Sequence, residues 1–96
     1  MWDRLAYAHV SAKTLERIRW LIADEDIRSI EDKVAMRAMR MHWSFADYRQ
    51  EVMDLVDDYA NTMLYFANLT KSAAEKNRFM IAYYAALKYL EKRGIV

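Results

Sequence analysis

The chain has 96 residues, a formal net charge of +1 from 15 Lys+Arg against 14 Asp+Glu, no Cys, no Pro and one Gly. This composition excludes a disulfide framework, thiolate-ligated zinc, a thiol nucleophile and a glycine-rich phosphate loop. Because β-sandwiches and barrels need Gly, Asn-Gly or Pro in their turns, and 55% of the residues are hydrophobic, we expect a single all-α domain over residues 1–96.

Cap residues in the first half of the chain predict three helices. They are Asp3 before about residues 4–9, Ser11 before about 12–23, and Ser29 before about 30–42. The charged run from Asp24 to Arg28 is interpreted as the linker between the last two of these helices. Apolar residues keep a helical spacing across Ser11, so a merger of the first two helices is an equally good interpretation.

The second half of the chain predicts two long helices. Ser44 caps a helix that runs to about Leu69, and Ser72 with Glu75 forms a capping box for a last helix that ends near Arg93, before Gly94. A loop of about three residues between them favours an antiparallel hairpin. We therefore predict an all-α fold, a small bundle of four or five helices with a long C-terminal antiparallel helical hairpin.

Two charged stripes follow helical spacing. The basic stripe is Lys33, Arg37 and Arg40, and the acidic stripe is Asp47, Glu51, Asp54 and Asp58. Either they are solvated faces that form exposed ion pairs, worth about 0–1 kcal/mol each, or one of them meets a partner. A protein partner fits the acidic stripe best, with the aromatic residues Trp43 and Tyr48 beside it as anchors.

The hairpin carries more apolar surface than a single face can bury. Residues 59–70 are uncharged and residues 79–87 are apolar throughout, and a helix that is apolar nearly all round is covered on several sides. Either the N-terminal helices cover both segments, or the segments also form a homodimer interface. The predicted interface residues are Tyr65, Phe66, Tyr83 and Tyr84.

No side-chain set indicates catalysis, a cofactor or a metal. His9 and His42 lack a carboxylate or a second His at ligand spacing. The pair Asp24 and Asp26 resembles the start of a calcium loop, but Ser29 replaces the required Gly. We therefore expect a protein that is not an enzyme and has no cofactor.

Nucleic-acid binding is the alternative function. Residues 34–52 loosely resemble a helix-turn-helix, with His42 at the position of the usual turn glycine. Its contacts would be the basic stripe and Arg49. The acidic stripe on the second helix would repel phosphates, and a net charge of +1 is low for a DNA-binding protein.

The sequence predicts neither a membrane span nor an export signal. The longest apolar run, residues 79–87, is shorter than the roughly 20 residues of a spanning helix. The first residues, Met1 to Arg4, contain a charge pair where a signal peptide has an apolar stretch. We expect a small cytoplasmic interaction protein that acts as an adaptor or as an inhibitor of the kind phages and mobile elements encode, with no membrane partner.

Overall fold

The computed structural model describes residues 11–93, and this part of the chain forms three α-helices. They are α1 (Ala12–Met41), α2 (Phe45–Leu69) and α3 (Ala73–Lys92). The all-α class is confirmed. The count of four or five helices is wrong for the described residues, because two predicted helices are one. The predicted helix over 4–9 and the C-cap at Gly94 lie outside these residues.

The predicted linker Asp24–Arg28 is an internal part of α1. Ala23 before this segment, Ile27 within it and Val34 after it are all buried, at helical spacing. The apolar face of the helix therefore continues through the segment without a break. The charged residues of the run are exposed around that face. Ser29 is consequently an exposed mid-helix residue, and the prediction that it caps a helix is wrong.

The other predicted N-caps in the described range are confirmed. Ser11 accepts a hydrogen bond from the backbone N–H of Thr14, Ser44 from that of Asp47, and Ser72 from that of Glu75. Each bond satisfies one of the donors that a helix start leaves without a partner.

The two turns are short and tightly bonded. His42 ends α1 with φ 54°, in the left-handed region, and its N–H bonds to the carbonyl of Ala38. This residue takes the conformation that glycine takes most easily. In the second turn the Glu75 carboxylate accepts a hydrogen bond from the Thr70 hydroxyl at 2.8 Å, in place of the Ser72 N–H of a full capping box.

The core is built mainly from small side chains. Among residues 11–93, half of the buried hydrophobic residues are alanines, at positions 23, 60, 67, 82, 85 and 86. The fully enclosed Val56 lies among them. Alanine lets helix axes approach closely, so α2 and α3 pack tightly as the predicted antiparallel hairpin, and the larger aromatic residues lie around this core.

Polar contacts tie α1 to the hairpin. The Tyr59 hydroxyl of α2 donates to the Asp26 carboxylate at 3.0 Å, and the Tyr89 hydroxyl of α3 donates to Glu31 at 2.8 Å. Arg93 forms an ion pair with the same Glu31 carboxylate at 3.0 Å. These contacts align three long helices into a bundle of 48 × 26 × 21 Å.

Candidate interaction surface

The acidic stripe lies on the outer side of α2, opposite the buried residues of that helix. Asp47, Asp54 and Asp58 are exposed and Glu51 is half-buried. Gln50 donates to the Asp54 carboxylate at 2.9 Å, so that this neighbour solvates the stripe without neutralising it. Within residues 11–93 the only ion pair is Arg93–Glu31, and the four negative charges therefore have no cationic partner there.

The structure places only one of the two predicted aromatic anchors beside this stripe. Trp43, which is half-buried, lines an open hollow of about 290 Å³ with Gln50 and the first two carboxylates of the stripe. Tyr48 turns to another side of α2, where its ring lies 6.1 Å from that of Phe45 and lines a hollow with Tyr89. Trp43 and the acidic stripe thus form one surface, and Tyr48 belongs to a different one.

The basic stripe lies on the side of α1 that borders α2. Asp26, Lys33 and Arg40 follow at heptad intervals and therefore share one side of the helix. Asp26 accepts a hydrogen bond from Tyr59 of α2, so the side of α1 that carries Asp26 is the side next to α2. Lys33, Arg37 and Arg40 are all exposed. No carboxylate in the described part of the chain lies within ion-pair distance of them.

Arg49, the fourth predicted nucleic-acid contact, is separate from the basic stripe. Its guanidinium donates to the main-chain carbonyl of Arg93 at the end of α3. The helices on either side of the 42–44 turn run antiparallel, as the contact between Asp26 and Tyr59 deep in both helices shows. The two helices of a helix-turn-helix cross at about 90–120° instead.

The four aromatic residues predicted at a dimer interface do not form one patch. Tyr65 and Phe66 are 59% and 39% exposed on α2, where the Phe66 ring lies 5.5 Å from that of Phe79. Tyr84 is 50% exposed and lines a hollow with Trp20 of α1. The step of five positions from Phe79 to Tyr84 is a rotation of about 140° around α3, so the Tyr84 ring and the Phe66–Phe79 pair lie on different sides.

Seven further large apolar residues in the described part of the chain are exposed, which the sequence did not predict. All seven lie on α1 or α2: Leu21, Ile22, Met36, Met39, Met41, Phe45 and Leu69. For Leu69 a signal exists, because Asp47, Glu51, Asp54, Asp58, Tyr65 and Leu69 follow one helical stripe. The acidic stripe therefore continues into an apolar end on the same side of α2.

Partial burial and hydrogen bonds to carboxylates raise the pKa values of two tyrosines. Desolvation by burial, and then the hydrogen bond to Glu31, raise the pKa of Tyr89 from 10.0 to about 12. Burial and the hydrogen bond to Asp26 likewise raise the pKa of Tyr59 well above its usual value. Both hydroxyls therefore stay protonated donors at neutral pH, as a bond to a carboxylate requires.

The described residues contain no group of His, Asp or Glu side chains that could hold a metal ion. His42 is exposed in the first turn, and His9 lies outside these residues. None of the three described helices has an apolar stretch long enough to cross a membrane.

Comparisons of the chain with protein-family models, with curated proteins and with solved structures give no match.

Proposed function

We propose that the protein is a small, non-enzymatic interaction protein that binds a protein partner through the acidic stripe and Trp43. One observation carries this proposal: four carboxylates lie along one exposed side of α2 with no cation paired to them in the described residues. Binding would act by covering a surface of the partner, as an inhibitor or an adaptor does.

The chemistry of the stripe supports a protein with a basic surface as the partner. A row of carboxylates speeds encounter with a positively charged surface and repels phosphates. Trp43 supplies a large, half-buried ring with a polar N–H beside the row, and buried aromatic residues carry much of the binding energy at protein interfaces.

The experiment reverses two charges in the middle of the stripe. Asp54→Lys with Asp58→Lys should abolish capture of the partner from an extract of the native host, because both carboxylates would become repulsive. The matched control is Glu25→Lys with Asp32→Lys, which makes the same charge change at exposed positions of α1. The set of captured proteins, identified by mass spectrometry, should be unchanged for the control. An unchanged set of proteins captured by the Asp54/Asp58 variant would contradict the proposal.

A second candidate function, nucleic-acid binding, is favoured by one observation. Lys33, Arg37 and Arg40 are exposed, and none of them is paired with a carboxylate of the described chain. A gel shift with duplex DNA and RNA at two salt concentrations distinguishes the candidates, since phosphate binding weakens steeply with salt. A shift that is lost when the three residues are changed to Glu would favour nucleic acid over a protein partner.

A further inference from the structure

The face formed by α1 and α2 is divided into a charged half and an apolar half. At the α1–α2 turn, Lys33 and Arg40 lie on α1, and Asp47 and Glu51 lie on α2. Toward the other end the same face exposes large apolar residues: Ile22 (52%), Tyr65 (59%), Phe66 (39%) and Leu69 (59%). Exposed apolar surface of this kind is typical of an interface.

The two helices present these halves at the same levels along the bundle. The hydrogen bond between Tyr59 and Asp26 puts these two residues level with each other. Since the helices are antiparallel and rise equally per residue, residues 33–40 lie level with about residues 45–52, and Ile22 with about residue 63. Arg37 and Ile22 are about 22 Å apart along α1, and Glu51 and Phe66 are about 22 Å apart along α2.

A two-fold axis parallel to the helices places α1 of one copy against α2 of a second copy. Every residue keeps its height along the bundle axis in this rotation. Positive charge then meets negative charge, and apolar surface meets apolar surface, in both halves of the pair. We propose that the α1/α2 face is the interface of such a symmetric homodimer, with Lys33 and Arg40 of each copy on Asp47 and Glu51 of the other. Both copies use the same surface, so the interface is isologous and the assembly is complete with two copies.

The match of charge to charge and of apolar to apolar surface under one two-fold axis favours a second copy as the occupant. A two-fold axis perpendicular to the helices would place the charged half against the apolar half. A membrane surface or a nucleic acid presents one sign of charge, whereas this face presents both signs side by side. The bundle outline of 48 × 26 Å leaves room on one side for the about 800 Å² per partner of a standard interface.

The dimer goes beyond the proposed function and uses the same side of α2, because Asp54 and Asp58 lie on the acidic stripe between Glu51 and Tyr65. Asp54 and Asp58 lie level with about residues 27–31 of α1, where the basic stripe has not yet begun. The residues tested for the outside partner are therefore different from those tested for the dimer.

Charge reversal on each helix in turn tests the proposal with the full chain. We expect light scattering of the wild-type protein to give twice the 11.5 kDa chain mass. An acidic variant, Lys33→Glu with Arg40→Glu, should be monomeric because acid then faces acid. A basic variant, Asp47→Lys with Glu51→Lys, should be monomeric for the opposite reason. The control is Lys76→Glu with Glu91→Lys on exposed positions of α3, and its mass should remain doubled.

Mixing the two monomeric variants separates lost pairing from lost folding. In a one-to-one mixture each helix face meets the opposite charge again, so the doubled mass should return as a heterodimer. The chain with all four substitutions should also dimerise. A monomeric wild type at 200 µM, a dimer that persists in both variants, or a mixture that stays monomeric would each overturn the proposal. Both monomeric variants keep Asp54 and Asp58, so capture of an outside partner is scored separately from the dimer, and failure of one proposal is recognised without the other.

Discussion

At the residue scale, two tyrosines decide how α1 is held. Tyr59 and Tyr89 each place a hydroxyl on a carboxylate of α1, Asp26 and Glu31, from two different helices. Both bonds are at most partly enclosed, so each contributes less than the about 1.5–3 kcal/mol of a well-enclosed hydrogen bond to a charged group. Both carboxylates belong to the charged segment around the predicted linker, and their partners lie far away in the sequence.

The Tyr89 contact predicts a loss of stability at alkaline pH. The folded chain holds the pKa of Tyr89 at about 12, above the value of 10.0 for a free tyrosine. The contribution of this contact is therefore complete below pH 10 and is lost as the pH rises from 10 to 12. Urea unfolding should show that the difference in free energy of unfolding between wild type and Tyr89→Phe shrinks over this range. A difference that is the same at pH 9 and pH 12 would contradict the assignment.

At the element scale, α1 is one helix of 30 residues because its apolar face is continuous. Asp24 and Asp26 have low helix propensity, but Ala23 and Ile27 on either side of them bury their side chains against the hairpin. Tertiary burial outweighs a propensity cost of up to about 0.7 kcal/mol per residue. No Gly or Pro in this segment ends the helix.

A proline scan tests the continuity of α1. Ser29→Pro removes a backbone hydrogen bond in the helix interior and should lower the free energy of unfolding by about 3 kcal/mol or more. The control is Lys71→Pro in the α2–α3 loop, where the preceding Thr70 is already extended, with ψ 142°, as the residue before proline prefers. Thermal unfolding of both variants measures the difference. Equal tolerance of the two prolines would mean that residues 24–29 do form a linker.

At the scale of the whole molecule, the packing of small residues produces a long bundle with aromatic residues outside its core. The radius of gyration is 15.8 Å, whereas a compact chain of this length has about 12–13 Å. Alanines fill much of the core, and ten large hydrophobic side chains among the described residues are left exposed. A surface of this kind favours association along the sides of the bundle.

The side-by-side dimer predicts a characteristic scattering profile. Because its two-fold axis is parallel to the helices, doubling the mass should leave the longest dimension close to the 48 Å of one bundle. Small-angle scattering of the wild type and of the monomeric Lys33→Glu/Arg40→Glu variant should therefore give nearly equal maximum dimensions. A dimer with about twice the length of the monomer would show end-to-end association instead.

The sequence by itself determined the helical class, the second and third helices and their caps. Composition excludes most other folds, and Ser44 and Ser72 act on backbone donors within the next three residues, so these features are local. The positions of the two charged stripes on their helices also follow from helical spacing alone.

Only the tertiary structure decided that α1 is continuous and which neighbours the rings of Tyr48, Phe66 and Tyr84 meet. Each of these depends on which face of one helix packs against another. The Asp26–Tyr59 and Glu31–Tyr89 contacts join residues 33 and 58 positions apart. Spacing within one segment gives the direction of a side chain around its own helix. It does not give the helix or the side chain that packs against it.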